Sequence, residues 1–272
     1  MSKLPISVLI PVKNEEKNIE RCISRLIDFD EIIVIDSNST DKTPDIASNN
    51  GARVINFIWD GKFPKKRNWA LRNIDIRNDW VLFIDADEFL TNEFLNEIKS
   101  KFNKESNHKG YWLNFTNFFM GKQLLHGDKM KKLALFNRNY GEYERIDEDS
   151  WSHLDMEVHE HPIINGDIGE IKSPITHNDF RGLTHYIDKH NQYSSWEAKR
   201  YVNLKGDYTN LTKRQKLKYK LLKIGILPTF YFFSTYFLKF GFLDGIAGYY
   251  FAHYKKNYFI QIQTKVKEFK SI

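Results

Sequence analysis

Four short apolar runs constrain this chain more than anything else in it. They are ISVLIPV (6–12), EIIVID (31–36), ARVINF (52–57) and WVLFID (80–85), all rich in Ile and Val. Such runs mark strands buried on both faces. Between them lie helical patterns: EEKNIERCISRLI (15–27), TPDIASNN (43–50) and KKRNWALRNI (65–74). Pro44 near the start and Gly51 beyond the end punctuate the second of these as a helix. Repeated strand–helix–strand predicts an α/β fold with a parallel sheet and right-handed crossovers. Ligands in such sheets gather at the carboxyl ends of the strands, so the residues that follow each run become the candidate site.

Those ends are polar. The first run exits into PVKNEE, the second into DSNSTDKT and the fourth into DADE. Pro11 holds the first exit extended and withholds a backbone donor. Glu15 and Asp36 are placed to accept hydrogen bonds from a ribose or a base. The Ser/Thr/Asp cluster 37–43 also suits turns and helix capping. FPKKRNWAL puts Lys65, Lys66 and Arg67 near a helix start, where cations oppose the helix dipole. A bound pyrophosphate explains them, and so does a solvated face. Asp85 and Asp87 are two apart, so in extended geometry both project to one side. Two such carboxylates repel unless a cation lies between them. Mg2+ and Mn2+ favour oxygen ligands and complete their shells with water and phosphate. Glu88 is expected to open the next helix. His177 in PITHND is a candidate third metal ligand, because imidazole suits Mn2+ better than Mg2+. The sequence has no Cys/His zinc pattern and no Walker-type glycine loop.

Downstream, GYWLNFTNFFM and KLALFNR read as further strands, and residues 139–180 as loop-rich and crowded with His, Asp and Glu. From Gly182 onward the pattern is helical. The apolar stretch around 224–252 approaches membrane-spanning length but is interrupted by Lys239, Asp244 and glycines. Its aromatic residues and the preceding KRQKLKYKLLK predict a helix lying in lipid headgroups. Internal packing, a dimer interface and a true span are the other readings. With no linker or repeat in the sequence, one continuous unit is expected. The net charge of +6 suits nucleic acid, anionic lipid or a phosphorylated substrate alike, but acidic strand ends oppose nucleic acid. Cys22, the single cysteine, sits at helical spacing with Ile19, Ile23 and Leu26 and reads as a core thiol. The N-terminus lacks a signal-peptide apolar region, which predicts a cytoplasmic protein.

Taken together, ISVLIPVKNEEKNIERCISRL, EIIVIDSNSTDKTPDIA, KKRNWAL and WVLFIDADE resemble the nucleotide-sugar half of family-two glycosyltransferases of the GT-A type. The resemblance implies a Rossmann-like mixed sheet with a nucleoside diphosphate across the strand ends and a C-terminal helical extension. The donor-facing set it implies is Pro11, Lys13, Asn14, Glu15, Asp36, Ser37, Lys66, Arg67 and Asp85. Asp85, Asp87 and His177 would hold Mn2+ or Mg2+, with Asp87 the main ligand. Many members carry a second acid after the second strand, where this chain has Ser37, which weakens the assignment of uracil as the base.

MEVHEHP, ITHNDFRGLTHYIDKHNQYSSWEAK and FLKFGFLDGIAGYYFA further resemble the lipopolysaccharide-core β-1,4-glucosyltransferase branch. That likeness implies inverting transfer of glucose from UDP-glucose to an inner-core heptose, at the inner face of the cytoplasmic membrane. It also implies a lipid-linked acceptor and Glu160 as general base, with Glu157 in reserve and His159 orienting either. The expected division is a catalytic domain over 1–180, with a nucleotide-sugar half (1–105) and an acceptor half (106–180), and a membrane-associating region over 181–272. A capsule, O-antigen or protein-glycan acceptor, a nucleotidyltransferase and a non-catalytic sugar-nucleotide-binding scaffold are the rival readings. Oligomeric state stays open.

Overall fold

The structure is a computed structural model that describes residues 3–102, 107–152, 154–155, 161–209 and 211–271. The chain forms two compact units. The first comprises Met1–Asn117, Lys129–Asp149 and His153–Phe180; the second comprises Phe118–Asp128, Ser150–Ser152 and Arg181–Ile272.

The first unit opens with β1 (Leu4–Val12), α1 (Ile19–Ile23), β2 (Phe29–Asp36), α2 (Thr43–Asn49), β3 (Arg53–Asn56), α3 (Lys66–Asn73) and β4 (Trp80–Phe83). β1 lies between β2 and β4, parallel to both, and β3 pairs parallel with β2. Ile6, Val8, Ile10, Ile33, Val34, Val81 and Leu82 are fully buried, as their unbroken apolar runs require. Register aligns Val12 with Asp36 and Asp36 with Asn56, so the polar exits lie side by side.

The chain continues through β5 (Glu88–Phe89), α4 (Asn92–Phe102), β6 (Gly110–Phe119), β7 (Lys122–Gln123), β8 (Met130–Asn137), β9 (Gly141–Tyr143), β10 (Pro162–Ile164) and β11 (Ile168–His177). The sheet runs β3-β2-β1-β4-β8-β6-β11-β5, and β9 pairs with β10 separately. β8 is antiparallel to both β4 and β6, β6 is parallel to β11, and β5 is antiparallel to β11. This is the mixed sheet of a GT-A fold. Two local expectations change. Glu88 does not open a helix; it sits in β5, and α4 begins at Asn92. The helix expected over 15–27 shrinks to five residues, because the backbone N–H groups of Glu15 and Glu16 donate to the side chains of Thr43 and Asp41 instead.

The second unit contains α5 (Gly182–Asn203), α6 (Lys213–Lys223), α7 (Leu227–Phe233), a π turn (Ser234–Leu238), a 3-10 turn (Gly241–Asp244) and α8 (Gly245–Ser271). Ala198, Tyr201, Tyr219, Leu222, Phe259, Ile262 and Val266 make its core. A reciprocal Thr212–Gln215 capping box starts α6. The apolar stretch 224–252 is therefore not one helix. It is broken by Phe240, held at φ 59°, and by Gly245 at φ 64°. A Cβ on Gly248 would lie 2.1 Å from the Gly241 carbonyl oxygen, so only glycine lets these segments approach. Among the described residues, no single helix is long and apolar enough to cross a membrane; α6 with 227–238 passes that test only as a pair bent by 118°. Phe230, Phe233, Phe237, Leu238, Phe240 and Leu243 are all exposed.

Candidate active site

The first two strand ends are stitched to each other by their own polar residues. Asn14 adopts φ 55°, which turns its backbone N–H toward the Ser39 hydroxyl (2.9 Å) and its side-chain oxygen toward the Thr40 N–H (2.8 Å). The Glu15 N–H donates to Thr43 (2.7 Å), and Asp41 accepts from the Glu16 and Thr43 N–H groups. The Ser/Thr/Asp cluster thus joins two loops rather than simply capping a helix, since the residue before α2, Lys42, makes no side-chain cap. Buried Asp36 accepts from the Ser39 N–H at 3.0 Å. Burial would raise the Asp41 carboxyl, but bonds from Thr43 and the Glu16 backbone outweigh it and hold it low.

The cations at the start of α3 are not a solvated face. Lys65 is buried against Glu148 at 2.6 Å, and Lys66 is buried 3.3 Å from Asp155 while donating to the Val12 carbonyl. Asp155 also accepts from the Ser37 hydroxyl, and its carbonyl accepts from the Lys66 N–H. Burial would raise the Asp155 carboxyl, but Lys66 and Ser37 together depress it. Arg67 reaches Asp85 at 3.0 Å.

At the end of β4 the chain leaves extended geometry, and a tight turn gathers the acids. The Glu88 N–H donates to the Asp85 carbonyl, and the Asp85 N–H donates back to the Glu88 carboxylate at 3.0 Å. Carboxylate oxygens of Asp85, Asp87 and Glu88 lie within 4.8 Å of one another. Three acids that close form a donor set of the kind that hard divalent cations take. Asp87 and Glu88 are buried. Lys132, from β8, bonds Asp85 at 2.6 Å and also Glu88. Burial pushes Glu88 up, Lys132 opposes this and Asp85 adds to it, leaving Glu88 raised. Burial pulls Lys132 down, but Asp85 and Glu88 outweigh it and Lys132 is raised. The thiol of Cys22 lies beneath the turn, buried and pushed up first by burial and then by Glu88, Asp87 and Asp85.

His177 reaches this turn through strand pairing. It sits opposite Glu88 in β5 and Asn117 in β6, with Nε2 3.4 Å from Asp87 and Nδ1 3.1 Å from the Asn117 side-chain oxygen. Asn18, just before α1, ties Glu15 to Asp179, and Arg21 of α1 stacks on Phe89 at 3.8 Å.

The structure therefore brings Asp85, Asp87 and His177 together and aligns Pro11, Lys13, Asn14, Glu15, Asp36 and Ser37 along neighbouring strand ends. Glu157, His159 and Glu160 lie outside the described residues. Sequence reasoning missed Glu88, Lys132, Asp155, Glu148 and Asn18. Lys132 alone left a signal, as a charge entering an otherwise buried strand, KKLALFN.

The chain is similar to several glycosyltransferases. An uncharacterized glycosyltransferase of Rickettsia typhi is 29% identical over 89% of this chain and 82% of its own length. The lipopolysaccharide core biosynthesis glycosyltransferase LpsC of Rhizobium meliloti is 27% identical over 91% of this chain and 86% of its own. Glucosyl-3-phosphoglycerate synthase of Mycobacterium tuberculosis, solved with Mn2+ and uridine diphosphate, is 31% identical over 43% of this chain and 44% of its own, at a TM-score of 0.32, too low to add to the argument. The model of glycosyl transferase family 2 matches residues 7–157, from within β1 to past the acidic turn. With that match over more than half its length, the chain belongs to glycosyl transferase family 2 and is a glycosyltransferase.

Proposed function

We propose that this enzyme moves glucose from UDP-glucose, with inversion and with help from a divalent cation, to a lipid-linked acceptor such as inner-core heptose. The observation that carries the metal is the acidic turn, where Asp85, Asp87 and Glu88 converge beside His177. The acceptor class rests on end-to-end similarity to a lipopolysaccharide core glycosyltransferase. Asp85, Asp87 and His177 would hold Mn2+ or Mg2+, with Asp87 the main ligand and Asp85 also serving the ribose. Pro11, Lys13, Asn14, Glu15, Asp36 and Ser37 would border the nucleoside, and Lys66 and Arg67 would stand on the diphosphate side.

When bound, the cation acts as a Lewis acid that stabilises charge on the departing diphosphate. The acceptor hydroxyl oxygen forms the new bond at the anomeric carbon while its proton passes to a base, and the sugar–diphosphate bond breaks. Glu160 is our choice of base, with Glu157 as the reserve and His159 as its orienting neighbour. The test is sugar release from UDP-, GDP-, ADP- and dTDP-glucose with Mn2+ and with EDTA. Preference for UDP-glucose that EDTA abolishes is expected; full turnover in EDTA contradicts the metal reading. Glu160→Gln should bind donor normally yet lose transfer, and retained transfer moves the role to Glu157.

We also propose that the second unit seats the enzyme on the inner face of the cytoplasmic membrane. Exposed Phe230, Phe233, Phe237 and Phe240 supply the apolar contact, and α6, KRQKLKYKLLK, supplies cations for anionic headgroups. Co-sedimentation with vesicles that contain anionic phospholipid is the expected outcome, weakened by salt and by Phe233→Ser with Phe237→Ser. Protein left in the supernatant under all lipid compositions argues against it.

A further inference from the structure

The acidic turn already has a cation of the protein's own. Lys132 Nζ lies 2.6 Å from one Asp85 oxygen and also bonds Glu88, while Arg67 lies 3.0 Å from the other Asp85 oxygen. Glu88 is fully buried, Lys132 and Asp85 only in part. Both oxygens of Asp85 are thus engaged by side-chain cations, whereas Asp87 faces His177. Glu88 in turn accepts the Asp85 N–H, so the ion pair with Lys132 braces the backbone that presents the acids.

We propose that Lys132 is a resident counter-ion of this turn, a positioning residue with two opposed effects. It neutralises Asp85 and Glu88, which holds the turn in ligand geometry before any divalent ion arrives. It also competes with that ion for Asp85, so that it lowers the intrinsic affinity of the turn. This inference rests on the reading of the turn as a metal site, but not on the sugar or acceptor assigned above.

A lysine of the same strand that pointed away from the turn would not have the second effect. A unit charge at roughly 6 Å from a divalent ion weakens its binding by about tenfold even at the dielectric of water. The experiment is Mn2+ binding without donor, read from the EPR signal of free Mn2+, together with thermal unfolding of metal-free protein. Lys132→Met should bind Mn2+ about tenfold more tightly and melt at a lower temperature when metal-free, with Mn2+ restoring more stability than in the wild type. Lys132→Arg should behave as wild type in both. If Lys132→Met does not fold, Lys132→Met with Glu88→Gln removes the buried carboxylate together with its partner cation and should still bind Mn2+ at least as tightly as Glu88→Gln alone. Unchanged or weaker Mn2+ affinity on loss of the charge overturns the role of Lys132. Absence of Mn2+ binding in wild type and variant alike overturns the metal reading with it, and donor turnover then stands as a separate result.

Discussion

Replacing Asp155 with Asn tests whether the cations of α3 clamp the strand ends. Lys66 is 2% exposed and its ammonium lies 3.3 Å from Asp155, which is 25% exposed and also accepts from Ser37. Breaking a fully buried pair costs about 3–5 kcal/mol. The partial exposure of Asp155 and the second bond from Lys66 to the Val12 carbonyl reduce that to about 2–3 kcal/mol. At roughly 2–4 °C per kcal/mol the melting temperature should fall by roughly 4–12 °C at neutral pH. The pH dependence supplies a sharper check. The Asp155 carboxyl is depressed, so its contribution is present above the unfolded value of about 3.9 and is lost as pH falls through the lower folded value. Wild-type and Asp155→Asn melting curves, followed by calorimetry, should differ at pH 7, begin to approach only below about pH 4, and meet once pH is below the depressed folded value. A variant that melts with the wild type at neutral pH refutes the clamp. So does a gap that persists unchanged in acid, because it would come from something other than the ionised carboxylate.

Phe240 is exposed at φ 59°, a conformation that is strained for a residue with a side chain. Phe240→Gly should therefore hold or raise stability by about 0.5–1 kcal/mol in a denaturant titration while weakening vesicle binding. Gly248→Ala places a Cβ 2.1 Å from the Gly241 carbonyl oxygen and should destabilise by about 2–4 kcal/mol, measured by the same titration. Glu148→Gln removes the carboxylate 2.6 Å from buried Lys65 and should lower stability by about 2–4 kcal/mol, with Lys65→Met in the same chain recovering much of the loss.

How far the fold was legible follows from which strands bury both faces. β1, β2 and β4 stand in the sheet centre, so their sequences are unbroken apolar runs and were read directly. β11 was not, because IGEIKSPITH alternates charges with Ile171 and Ile175 and contains Pro174. Its register against β6 is irregular between Ile171 and Ile175, and that irregularity accommodates the proline. The acidic turn was legible as a motif, but its fourth residue was misread. Glu88 follows two aspartates like a helix-opening acid, and only the return of β11 beside it shows why it is buried in a strand. The same pairing delivers His177 from ninety positions downstream, a juxtaposition that local spacing does not encode. Lys132 and Asp155 reach the strand ends through tertiary contacts, so the sequence showed Asp85, Lys66 and Arg67 but not which charges they pair with.

The most direct test of the central claim is the Mn2+ dependence of UDP-glucose turnover by wild-type protein and by Asp87→Ala, with folding of the variant checked by its melting curve. Loss of a cation ligand at a charge-stabilising site lowers turnover by about 10²–10³. Wild-type turnover that requires Mn2+ and falls by that factor in folded Asp87→Ala is the expected result. Turnover that is indifferent to EDTA and undiminished in Asp87→Ala would contradict the assignment of the acidic turn as the metal-dependent catalytic centre.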